Sequence, residues 1–388
     1  MLKTIVIIIA LPFTARAEET AAEFAARLKR GIERGASALC ALQGADGGWH
    51  SGLYGHLKPG AALTALTLET LSRLPADERA KHEPAIRKGM AFLVASQGSD
   101  NALGTKSEWL EFPVYANALT VIAFSRLQPE NWKTTIEPWL GYIKKAQHSE
   151  DNGCAAGDAA YGGWGPLGIP SNGRRRQSDL STTRCALQAL AAAGVAPEDK
   201  CWTRARAFLA RVQNLPEGRD DGGFFFSTTH PELNKAGTAK ADSKQFRSYG
   251  TCTADGLLSL SLFPAKDVKV SFDAASKWFA AYGNARVCAG FEGTDLEAQG
   301  WRDGLNYYYR AAVADAATRV APQAGKFDQD WWRDLARATL AGQRTDGAWA
   351  SETTAMKEND PLISTPLALE ALLICNAQLS VKTEPLKP

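Results

Sequence analysis

No charge of either sign dominates this chain: 44 lysines and arginines face 42 aspartates and glutamates in 388 residues. That balance excludes a nucleic-acid binder that tracks phosphates and a polybasic membrane anchor, since both need a basic excess. Histidine is scarce, with five copies, and His50, His56, His82, His148 and His230 show none of the spacing expected of zinc ligands. No metal and no cofactor is expected. Cysteine is also sparse: seven residues, an odd number, without the dense spacing of a disulfide scaffold. Cys40, Cys185, Cys252 and Cys375 fall in apolar helical patterns, where a thiol acts as a small hydrophobe. Cys154 and Cys201, in loops, are the candidates for a bridge.

The N-terminal apolar run, residues 5–13, falls short of the roughly 20 residues that span a bilayer. With Lys3 before it and Ala15 and Ala17 after it, residues 1–17 read as a secretory signal cleaved near Ala17. The mature protein is therefore expected to be exported, periplasmic or secreted, as one domain over residues 18–380 with a short tail, 381–388. Removing Lys3 and Arg16 leaves acids and bases equal. No cysteine follows the signal, so lipid attachment there is not expected. With 45% hydrophobic and 22% charged residues, the chain has the composition of a folded protein with a large core.

What is present in quantity is a repeat. Gln43-Gly44-Ala45-Asp46-Gly47-Gly48-Trp49 and Gln343-Arg344-Thr345-Asp346-Gly347-Ala348-Trp349 share Gln, Asp, Gly and Trp at one spacing. Weaker copies run from Gln97 to Gly104, from Gln147 to Trp164 and from Gln213 to Phe224, and a fifth, without Gln, from Gly290 to Trp301. Taking Trp49, Gly104, Trp164, Phe224, Trp301 and Trp349 as anchors gives six units of about 60 residues. Each unit reads as a charged helix, the turn, a variable loop and a more apolar helix. The second helices are expected at 61–74, 114–127, 180–193, 251–263, 306–317 and 364–376, small and apolar on most sides and so buried all round. The charged helices, such as 27–34 and 333–337, form an outer layer. An open solenoid would need a polar cap at each end, yet the last helix is among the most apolar in the chain. The reading is an all-α (α/α)6 toroid, six inner helices within six outer ones.

The Gln-to-Trp turn resembles the QW repeat of squalene and oxidosqualene cyclases. The ring resembles the α/α toroid of the terpenoid cyclase and protein prenyltransferase superfamily, here as an exported bacterial-type member. The resemblance implies a hydrophobic isoprenoid as ligand, with peripheral membrane contact; the alternative partner is an exported ligand of another kind, and the charge balance leaves no nucleic acid among the partners. In squalene-type cyclases a D-x-D-D motif opens an inner helix and its central Asp protonates the polyene. The matching stretch is Asp179-Leu180-Ser181-Thr182-Thr183. Asp179 takes the first Asp, and Ser181 and Thr182 replace the next two; a serine hydroxyl cannot protonate an alkene.

The inner-helix N-termini converge on one mouth, where site residues are sought. Asp179 stands at an N-cap, where backbone N–H groups and the helix dipole lower its pKa, or it takes a ligand-binding or catalytic role, with Ser181 and Thr182 beside it as substrate contacts. Asp255 lies inside an inner helix, where burial keeps a carboxyl protonated; it is either the catalytic acid or the partner of a loop or an arginine. Tyr307, Tyr308 and Tyr309 start the fifth inner helix 100° apart, so at most two face the cavity. With Trp301 and Tyr249 they offer aromatic faces to a carbocation or a sugar. Arg175, within Arg174-Arg175-Arg176, suits an anion at a helix N-terminus or belongs to a solvated loop. The long loop 228–250 is placed to cover the mouth.

Three functions fit. One is an isoprenoid-binding or isoprenoid-transforming toroid. The second is a polysaccharide lyase or glycosidase, and the third an exported scaffold that binds lipid or protein without catalysis.

Overall fold

The computed structural model describes residues 19–106, 110–169, 176–215, 221–238 and 245–380. The expected signal, the tail 381–388 and Arg175 lie outside the described residues. Fourteen α-helices are found among the described residues. In chain order they begin with α1 (Ala21–Ala41), α2 (Ala61–Ser72), α3 (Ala76–Lys81), α4 (Glu83–Ala95) and α5 (Pro113–Leu127). Next come α6 (Trp132–Ala146), α7 (Leu180–Ala192), α8 (Lys200–Arg211), α9 (Gly250–Leu260) and α10 (Ala265–Tyr282). The last are α11 (Leu296–Gly304), α12 (Tyr307–Ala324), α13 (Gln329–Leu340) and α14 (Pro361–Ser380).

Residue pattern decides the layer. In α2 every residue but Leu66 is buried, as expected of a helix apolar on all sides. In α13 the buried residues are Trp332, Leu335, Ala336, Thr339 and Leu340, a single stripe opposite a charged face. The inner helices pack in sequence, α2 on α5, then α7, α9, α12 and α14, and α14 returns to α2. The outer helices α1, α4, α6, α8, α10 and α13 surround them, and α1 packs on α14 and α13. The fold is the closed α/α toroid of six helix pairs, with α3 and α11 as additions. Helix α14 is long and apolar enough to cross a membrane; here that surface packs against α1, α2, α12 and α13.

The repeated turn is a joint between neighbouring pairs. Gln43 Nε2 donates to the Gly47 carbonyl of its own turn and to the Ala85 carbonyl of the next outer helix, both at 2.8 Å. Gln147 does the same to Gly162 and Cys201, and Gln213 to Gly222 and Ser271. Gln343 bonds Gly347 and, across the ring seam, Gly31 in α1 at 2.9 Å. The indole N–H groups of Trp49, Trp164 and Trp349 donate to Leu39, Ile143 and Thr339 in the preceding outer helix. Their backbone N–H groups donate to Thr64, Thr183 and Thr365 in the inner helix that follows. All three indoles are fully buried. Each turn therefore ties three helices.

Two expectations are corrected. Trp301 does not anchor the fifth turn: it belongs to α11, an inserted helix, and Phe291 is the buried ring there. That turn has no glutamine, and Tyr309 replaces the tie, exchanging hydrogen bonds with the backbone of Asn284. Cys154 and Cys201 form no bridge; all seven cysteines are free thiols.

Gly162 has φ of 86°, and a Cβ there would lie 1.9 Å from the Arg204 carbonyl oxygen of the next outer helix. Gly194, at φ 71°, has open space. Gly194→Ala should therefore cost about 1–2 kcal/mol, the left-handed penalty alone. Gly162→Ala should cost about 2–5 kcal/mol by adding overpacking at the joint. Urea denaturation of the two variants measures the difference.

Candidate functional site

The first turns of all six inner helices contribute to one central cavity of ≈ 470 Å³, through Leu63, Tyr115, Ser181, Thr251, Tyr308 and Ile363. That size falls in the range of about 300–1,000 Å³ that holds small molecules. Two of these helix starts are capped from a distance. Glu111, just before α5, accepts from the N–H groups of Gly60, Ala61 and Ala62 at the start of α2, at 2.9–3.1 Å. Glu358 does the same for Asn306, Tyr307 and Tyr308 at the start of α12, at 2.8–3.1 Å. Burial pushes both carboxyls up to about 7 against these donors. Neither glutamate was legible in the sequence, because no local pattern links it to a helix start some fifty residues away.

Asp179 caps α7 and lines the cavity. Its Oδ1 accepts the Thr182 N–H at 2.8 Å and the Ser181 hydroxyl at 3.1 Å, and Ser181 accepts the Tyr115 hydroxyl at 2.7 Å. The expected lowering of its pKa is reversed: the side chain is so deeply enclosed that burial raises it, and the Thr182 and Ser181 donors offset only part of that.

Asp255 also lines the cavity and is 1% exposed. It accepts the Tyr308 hydroxyl on Oδ2 at 2.9 Å, and its Oδ1 lies 3.1 Å from Arg184 Nε, in an approach not aligned for a hydrogen bond. The guanidinium stands over the Tyr308 ring at 5.8 Å. Burial pushes Asp255 up to about 6, with Arg184 and Tyr308 pulling it down. The arginine partner left open by the sequence is thus Arg184, one element earlier in the inner ring.

Of the aromatic candidates, Tyr249, Trp301 and Tyr308 line the cavity. Tyr307 does not: its ring is buried below Arg310, 5.5 Å from the guanidinium carbon. The 100° step between neighbours thus selects Tyr308 alone of the three. Thr182 and Ser181 are on the wall. In the loop before α9, Asn234 Oδ1 accepts the N–H groups of Phe226 and Ser227, and Glu232, Leu233 and Lys235 become part of the wall. Farther along the inner helices, Arg73 pairs with Glu69 at 2.8 Å and with Glu370 at 2.9 Å, and Arg126 also bonds Glu69. Glu69 and Arg73 are one turn apart at the end of α2, but Arg126 and Glu370 are distant in sequence, which leaves the cluster as a whole without a local pattern.

No protein-family model matches the chain, and no curated protein matches its sequence. Solved structures do match. A D-mannose isomerase is 13% identical with a TM-score of 0.56, over 94% of this chain and 99% of that one. The type II terpene cyclase MstE from Scytonema, in complex with its substrate geranylgeranyl dihydroxybenzoate, is 11% identical with a TM-score of 0.51, over 92% and 99%. A GH76 α-mannanase of Bacteroides thetaiotaomicron is 12% identical with a TM-score of 0.52, over 81% and 86%. These proteins share the α/α toroid with the chain, and the likeness is one of fold.

The Asp255 pair makes a measurable statement. Its value of about 6 lies above the ordinary 3.8, so between those pH values the folded state holds a proton that the unfolded chain has released. The contribution of Asp255 to stability accordingly falls as pH rises through that window. Arg184→Met should raise the Asp255 value further, because the burial that opposes ionisation stays while the opposing cation is lost. Carboxyl-carbon NMR titration of wild type and variant reads both values.

Proposed function

We propose that the chain binds an isoprenoid-like hydrophobic molecule in its central cavity, with Asp255 as the group that exchanges a proton with it. The wall of the cavity carries this reading. Phe112, Tyr115, Phe226, Tyr249, Trp301 and Tyr308 supply aromatic surface, and Leu63, Leu66, Leu119, Ile122 and Ile363 supply aliphatic surface. An apolar chain laid on such a wall gains roughly 25 cal/mol per Å² removed from water. The aromatic faces suit positive charge developing along the chain. The terpene cyclase neighbour, whose substrate carries a geranylgeranyl group, supports the same class of ligand.

Ser181 stands where the resemblance places a proton donor, and its hydroxyl is engaged with Tyr115 and Asp179. Asp255 takes the acid role on this reading, because a group near pH 6 both gives and accepts a proton at neutrality. Tyr308 and Arg184 orient it. Asp179 fixes the wall through its cap and presents a second carboxyl. We further propose that the mature chain acts outside the cytoplasm, after cleavage near Ala17.

A saccharide is the second reading. Asp179 and Asp255 share one cavity, glycosidases use two carboxylates, and the mannanase and mannose isomerase neighbours have the same fold. The apolar wall weighs against it, since each buried sugar hydroxyl left without a partner costs about 1–3 kcal/mol.

Native mass spectrometry of the mature protein with geranylgeraniol, squalene and oligomannosides separates the readings, followed by product analysis. Retention of an isoprenoid is expected, and retention of the saccharide alone moves the assignment to the second reading. Where turnover is seen, Asp255→Asn should keep the ligand and lower the rate about 10²–10⁴-fold. Binding without turnover in the wild type identifies a carrier.

A further inference from the structure

A thiol, an imidazole and a carboxylate stand in a row in the outer layer, apart from the central cavity. Cys40 lies in the last turn of α1, and its Sγ is 3.3 Å from His82 Nδ1. His82 links α3 to α4, and its Nε2 is 3.2 Å from Glu78 Oε1, one turn back in α3. The added helix α3 thus brings Glu78 and His82 to the end of α1.

The carboxylate fixes the protons of the row. Burial raises Glu78, but Lys81, 2.5 Å from its other oxygen, and His82 hold it below its ordinary value. A carboxylate only accepts, so Nε2 carries the imidazole N–H and Nδ1 turns its lone pair toward the sulfur. Of the other charged groups nearby, Glu33 of α1 is 3.9 Å from Lys81, and Asp77 of α3 also acts on that lysine. A nucleophile, a base and a group that orients the base, all within hydrogen-bond reach, are the arrangement that activates a thiol.

Packing does not require the pair. Cys40 stands three residues before Gln43, and His82 three before Ala85, whose carbonyl Gln43 bonds. At the ring seam, where Gln343 bonds Gly31, the same two positions are Leu340 and Leu28, both in the core. Two leucines therefore serve the same joint. Cys40 is also half-buried, whereas the other six thiols are buried. Burial pushes it up to about 11, so at neutral pH the thiol needs a base in the reacting step itself.

The backbone N–H groups of Leu42 and Gln43, which follow Cys40, are bonded within the helix end. They are not free to hold an acyl oxyanion. Disulfide exchange makes no such demand, because the charge departs with the leaving sulfur.

We propose that Cys40 is a modification site, a nucleophile that exchanges with low-molecular-weight disulfides under base catalysis by His82. As the Cys40 sulfur attacks one sulfur of the reagent, Nδ1 takes the thiol proton. The reagent's S–S bond breaks, Cys40 keeps one half as a mixed disulfide, and the leaving thiolate collects the proton from His82. Glu78 acts through His82 as a positioning residue. The site stands whichever ligand the cavity takes.

Time-resolved mass spectrometry of the folded protein with hydroxyethyl disulfide, followed by peptide mapping, tests it. Cys40 should gain the mixed disulfide first among the seven thiols. His82→Gln should slow that step about tenfold or more, and Glu78→Gln by a smaller factor. In His82→Gln the rate should keep climbing with pH toward the thiol's own value of about 11, whereas the wild type levels off at lower pH. A packing role alone would leave that profile unchanged. If circular dichroism shows that His82→Gln does not fold, Glu78→Gln and the wild-type profile decide. Equal rates and profiles in wild type and His82→Gln, or another cysteine modified before Cys40, overturn the inference.

Discussion

The hydrogen bond from Gln343 to the Gly31 carbonyl, between residues 312 apart in sequence, closes this molecule. The same amide bridge joins each of three earlier turns to the next outer helix; at the seam it joins the last turn to the first helix. Without closure, the faces of α1 and α14 that now meet would be open to water, and there would be no central cavity. At these four joints one glutamine suffices because it satisfies two carbonyls at once. Leaving such groups unpaired would cost far more than the net gain of making the bonds.

Closure also fixes the electrostatics of the interior. Six helix starts face one space, and their free N–H groups need acceptors. Asp179 supplies one locally, while Glu111 and Glu358 reach across from neighbouring turns. The carboxyls that result are deeply buried, and burial outweighs the donors, so Asp179, Glu111 and Glu358 are all raised. Asp255 belongs to the same regime with a different partner: Arg184 brings it only part of the way back, to about 6. An apolar wall interrupted by a few ionisable groups is a chemical environment that no single helix could produce.

Some of this was legible in the residues. The Gln, Gly and Trp of the turns recur at fixed spacing, and they act locally, ending one helix and packing against the next. The inner helices were placed closely for the same reason: 61–74 is observed as Ala61–Ser72 and 180–193 as Leu180–Ala192. In the fifth unit α11 interrupts the pattern, and its Trp301 imitates the anchor. There the tie is a tyrosine hydroxyl, and a Tyr309 reaching back to Asn284 has no signature along the chain. Helical phase alone does not say where the cavity lies, so the residues do not choose between Tyr308 and Tyr307.

The sequence by itself determined that six apolar helices alternate with charged ones and that a terminal helix as apolar as α14 must be covered. Both follow from periodicity and composition, which are properties of neighbouring residues. Tertiary structure decided which side chains meet: Asp255 with Arg184 on the cavity wall, and Glu358 with the start of a helix begun fifty residues earlier. It also decided the sign of the Asp179 shift. The reason is physical: charge interactions depend on distance through space and on exclusion of water, and neither is defined until the ring has closed.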